Sequence, residues 1–117
     1  MPDEGAGVTS AIAGSAAGSL AAALAGIEEG AVEAGLPRDT ARVFVRQTAL
    51  GTALLLDDHP GSPADLKDQV ASPGGTTIAG LAVLEDQGVR GAFIRALEMT
   101  AGRERRERDG DVSRAAG

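Results

Sequence analysis

Residues 68–85 read DQVASPGGTTIAGLAVLE: the end of one apolar-patterned stretch, a serine, a proline, two glycines, and two threonines that open a second apolar run. Pro73 biases the residue before it away from helical angles and so ends the preceding helix. Gly74 and Gly75 permit backbone angles and close approaches that other residues resist. Ile78, Leu81, Ala82 and Leu84 then recur at helical spacing as far as Gly88. The stretch is a helix, a tight break and a second helix.

Working upstream, Ser62-Pro63-Ala64-Asp65 is a helix start, with Ser62 as cap, Pro63 in the first turn and Asp65 as the capping-box partner three residues on. This short helix carries Leu66 and Val70. Before it, Asp57-Asp58-His59-Pro60-Gly61 is dense in turn residues, and His59 is expected there as a loop residue and not as a proton donor. Val43, Gln47, Leu50 and Leu54, with Phe44 and Leu55 alongside, give a helix of about five turns, opened by Pro37. Gly35 caps the helix before that one. Downstream, Val89, Ala92, Phe93, Ala96 and Leu97 form the clearest amphipathic stripe. With 23 Ala, 17 Gly and Phe44 and Phe93 as the only aromatics, no run looks like a strand. The expected fold is all-α, with about five helices.

At 117 residues the chain is one small domain. Its net charge of −6, from 17 acidic and 11 basic residues, argues against nucleic acid or an anionic membrane as partner. No cysteine and a single histidine exclude disulfides, thiolate nucleophiles and a Cys- or His-rich metal centre, and no metal is expected. A core built largely of Ala is thin, which points to completion by oligomerisation.

The segment Ala11 to Ile27, AIAGSAAGSLAAALAGI, carries no charge over 17 residues. A signal peptide wants a basic start, whereas this chain opens Met-Pro-Asp-Glu; a spanning helix wants roughly 20 residues of stronger hydrophobicity. The expectation is a helix buried on most sides by close neighbours, with Gly14, Gly18, Ala22 and Gly26 on a face where another helix can approach. The setting expected is cytoplasmic, with no membrane partner.

The loop from Ser72 to Thr77 is where specialised residues converge. The amides of Gly75, Thr76 and Thr77 precede the first intrahelical acceptor, and the dipole's positive end lies there, so a small carboxylate or phosphate fits. The hydroxyls of Ser72, Thr76 and Thr77 add donors. The same residues also suit a simple helix cap and tight turn, and the pattern is neither a P-loop nor a G-x-G-x-x-G dinucleotide motif. The residues alone leave both readings open.

Over Asp68–Glu85 the chain follows D-x-V-x-S-P-G-G-x-T-x-x-[AG]-L-x-x-L-E, which closely resembles the signature segment of pyrroline-5-carboxylate reductases, the enzymes that make L-proline with NAD(P)H. Val8-Thr9, Glu33-Ala-Gly-Leu-Pro37, Gln47-Thr48 and Gly51 agree as well, so that the resemblance runs from Val8 to Arg106. It covers the helical C-terminal part of such enzymes alone.

The resemblance implies an all-α domain that interlocks with its twin in a homodimer and binds the carboxylate of pyrroline-5-carboxylate or proline through Ser72, Gly75, Thr76 and Thr77. NAD(P)H, the family's cofactor, would be held by a dinucleotide-binding domain that these 117 residues lack, so the chain alone is expected to bind no cofactor and to be inactive without that partner domain. The alternative is a stand-alone, non-catalytic dimerisation or small-anion-binding module. One departure bears on this: where the family has G-S-G-P-A-Y, this chain has Ile12-Ala-Gly-Ser-Ala-Ala17, with Ala17 in the aromatic's place. The expected organisation is a flexible N-terminus over 1–7, the helical domain over 8–106, and a charged tail, RERRERDGDVSRAAG from Arg103, disordered over 107–117.

Overall fold

The computed structural model describes residues 2–58, 60–71 and 75–116, with side chains described between 7 and 110. His59, Ser72, Pro73 and Gly74 lie outside the described residues. The elements are α1 (Pro2–Glu33), α2 (Arg38–Asp58), α3 (Pro63–Ala71), α4 (Gly75–Asp86) and α5 (Val89–Ala116). Among the described residues there is no strand, and the all-α, five-helix reading holds.

The helix ends follow from the residues at them. At the end of α1 the amide of Leu36 donates to the Ala31 carbonyl at 3.0 Å and that of Gly35 to Val32 at 3.0 Å. This is a Schellman closure, and it requires the left-handed angle that Gly35 adopts, φ +119°. Gly88 closes α4 the same way, with φ +72° and its amide on Glu85 at 3.1 Å. The capping box of α3 forms as expected: Ser62 N donates to Asp65 Oδ2 at 2.9 Å and Asp65 N to Ser62 Oγ at 3.3 Å.

Helical backbone runs further at both ends than the sequence suggested, over residues 2–7 and 107–116. On the C-terminal side Arg103 Nε lies 3.3 Å from Glu107 Oε1 one turn on, an i,i+4 pair that favours continuation.

The chain divides into two compact units. One joins the chain up to Ala22 with the chain from Val89 onward; the other is Ala23–Gly88. In the first, Ala101 is buried and Thr100 Oγ1 donates to Ser15 Oγ at 2.9 Å, tying α5 to α1. In the second, Ala41, Val45 and Leu66 are buried, and α3 packs on α4.

Within the second unit, Arg38 holds the turn between α1 and α2. Its Nη1 lies 2.7 Å from both Glu28 Oε2 and Glu29 Oε1, and Arg42 Nε stands 3.6 Å from Glu28 Oε2. The last turn of α1 contains no basic residue, so these cations of α2 sit where the negative end of the α1 dipole needs one. Hydrogen bonding to the Arg38 guanidinium, reinforced by its charge, holds the Glu29 carboxyl below its ordinary pKa.

One expectation about burial is corrected in the single chain. Residues 7–33 of α1 are not buried by close neighbours: a Cβ built at Gly14, Gly18 or Gly26 meets nothing within 4 Å. This segment is also long and apolar enough, by length and composition, to cross a membrane. On α2 the buried pair is Ala41 and Val45, while Val43, Leu50 and Leu54 of the sequence stripe stay more than half exposed. Ile94 and Met99 of α5 are likewise exposed. Exposed large apolar side chains on a helix of this kind are the mark of a face that another surface covers.

Candidate functional site

The candidate anion site falls at the start of α4. Gly75 is the first helical residue, with Thr76 and Thr77 following in the same turn, all three exposed. Their amides lie before the first i−4 acceptor of the helix and at the positive end of its dipole. A Cβ added to Gly75 would meet nothing within 4 Å. The fourth residue of the sequence prediction, Ser72, lies outside the described residues.

Thr77 has a second environment. It lines a groove of about 270 Å³ together with Thr52, Leu55 and Leu56 of α2, Leu66, Lys67 and Val70 of α3, and Leu81 of α4. The walls are apolar apart from two threonines and one lysine. Lys67 Nζ lies 3.6 Å from Asp68 Oδ1 and 3.8 Å from Glu85 Oε1 on α4. Sequence reasoning passed over Lys67, although it is the only lysine among 11 basic residues.

A second groove, about 610 Å³, lies in the other unit and is lined by Ile12 of α1 and Phe93, Ile94, Leu97, Glu98, Ala101 and Arg105 of α5. Its lining is aliphatic and aromatic apart from Glu98 and Arg105.

Helix starts in general offer unpaired amides and a positive dipole end to an anion. A nicotinamide dinucleotide needs a strand, a glycine-rich turn and a helix to hold its pyrophosphate. The described residues contain no strand and so no such strand–turn–helix unit.

These features are those of an all-helical domain whose fourth helix starts at an exposed Gly75–Thr77 turn. The family described as pyrroline-5-carboxylate reductase dimerisation matches residues 4–107. A pyrroline-5-carboxylate reductase of Synechocystis is 42% identical over 97 residues, covering 83% of this chain and 36% of the relative. That of Glycine max is 40% identical over 96 residues, covering 82% of this chain and 35% of the relative. A crystal structure of the Plasmodium falciparum pyrroline carboxylate reductase with NADP bound superposes with a TM-score of 0.78 at 25% identity, over 86% of this chain and 38% of that one. The chain belongs to the pyrroline-5-carboxylate reductase dimerisation family. It spans about a third of the length of these relatives.

Proposed function

We propose that residues 8–106 form the dimerisation and substrate-binding domain for reduction of pyrroline-5-carboxylate to L-proline, working as a cytoplasmic homodimer. The start of α4 grips the substrate carboxylate through the amides of Gly75, Thr76 and Thr77 and the hydroxyls of Ser72, Thr76 and Thr77. The observation that carries this reading is the open, donor-rich first turn of α4 in a chain that belongs to this family. Its contribution to the reaction is to fix and orient the pyrroline ring. NAD(P)H would be held by a dinucleotide-binding domain, either separately encoded or joined to these helices in a longer chain.

The open faces of α1, α2 and α5 supply the dimer contact. A monodisperse dimer on a sizing column without detergent supports this and speaks against a membrane role for α1; partition of the chain into detergent overturns it.

The test of function is NADPH oxidation with pyrroline-5-carboxylate, measured for the chain alone and after adding the dinucleotide-binding domain of a relative. Turnover in the second case and not the first supports a divided enzyme. Proline binding without turnover in either case favours the stand-alone anion-binding module, for which the loss of the aromatic at Ala17 is the specific argument. Titration of L-proline into wild type and Thr77→Val checks the site, and equal affinities overturn the carboxylate assignment.

A further inference from the structure

Thr77, Leu81 and Glu85 stand at i, i+4 and i+8 and so share one face of α4. Lys67 of α3 meets that face at its Glu85 end. It lines the same groove as Thr77 and Leu81, and its ammonium lies 3.8 Å from Glu85 Oε1. Glu85 and Asp86 occupy the last turn of α4, which has no basic residue of its own. Acidic groups there oppose the helix dipole, and Lys67 supplies the cation that offsets them.

We infer that Lys67 is a positioning residue for the carboxylate site: by tying Glu85 to α3 it fixes the rotation of α4 about its own axis, and with it the direction in which Thr77 faces. A helix turns about 100° per residue, so a modest rotation carries a hydroxyl away from its ligand while the helix stays intact. The Lys67 ammonium is paired with Asp68 and Glu85. The inference rests on the carboxylate reading of the α4 start.

The experiment is calorimetric titration of L-proline into the full chain as wild type, Lys67→Met, Lys67→Arg and the charge swap Lys67→Glu with Glu85→Lys. Lys67→Met keeps most of the apolar stem and removes the charge. The expected result is a loss of affinity on the order of tenfold in Lys67→Met, since small misplacements of binding groups weaken binding by such factors. Affinity returns in Lys67→Arg and in the swap, with helicity and oligomeric state unchanged throughout. Wild-type affinity in Lys67→Met overturns the inference and leaves the carboxylate reading standing. A folded swap that binds as weakly as Lys67→Met also overturns it. No proline binding by wild type removes the carboxylate reading itself, and the positioning role with it. Should Lys67→Met fail to fold, the swap against wild type decides.

Discussion

Thr100 Oγ1 donates a 2.9 Å hydrogen bond to Ser15 Oγ, joining residues 85 positions apart across α5 and α1. The same hydroxyl lies 3.1 Å from the Ala96 carbonyl one turn back on its own helix. Small hydroxyl residues let two helices approach closely and still offer a polar contact between them. Thr100→Val keeps the shape and leaves Ser15 without this partner, so it should lower stability by about 1 kcal/mol. Ser15→Ala should give a similar loss, and the double substitution little more than either alone, as read from urea midpoints in a double-mutant cycle.

The Arg38 cluster sets a pH response. Because Glu29 titrates below its ordinary value in the folded chain, it contributes stability that is fully present above the unfolded glutamate pKa of about 4.3 and is lost as pH falls through the lower folded value. Arg38→Gln should therefore flatten the decline in urea midpoint between neutral pH and about 3. Added salt should narrow the difference between the two chains, because the pair with Glu29 is exposed to solvent.

Gly35 holds φ at +119° at the end of α1. An L side chain rarely adopts that angle, so Gly35→Ala should cost about 1–2 kcal/mol although no atom stands in its way. The check is a chemical melt of the variant beside Gly26→Ala, where the backbone is helical and alanine should stabilise the single chain.

Gly18→Leu probes the open face of α1. With nothing within 4 Å of the added Cβ, the chain itself accommodates the change. Far-ultraviolet circular dichroism should stay as in wild type, while sedimentation shifts from dimer to monomer. A dimer of unchanged affinity would remove this face from the interface.

Local chemistry was readable in the sequence wherever one residue decides one backbone angle. Gly35, Gly88 and the Ser62–Asp65 box each mark a helix end because the φ or the cap is a property of that residue and its near neighbours. The loop expected over Ser72–Thr77 is, by contrast, already helical from Gly75 onward. What the sequence could not supply was the partner of each face. Periodicity marked Val43, Leu50 and Leu54 as one side of α2, but in the single chain the covered side is Ala41 and Val45. Thr100–Ser15 and Lys67–Glu85 join residues far apart in the chain, and no spacing rule reaches from one to the other. Arg38 with Glu28 and Glu29 was nearer to hand, since a short turn brings a helix start back against the end that precedes it.

The glycines of α1 carry one more consequence. Each of Gly14, Gly18, Gly26 and Gly30 weakens a helix by roughly 0.5–1 kcal/mol relative to alanine, and none gains a close neighbour within the chain. Together they remove a few kcal/mol from a fold whose total stability is on the order of 5–15 kcal/mol. An isolated copy should thus be loosely held, its longest helix opening readily, and the loss should be recovered only on assembly. Folding and association then become one equilibrium: the melting midpoint should climb with protein concentration, and dilution alone should unravel the molecule.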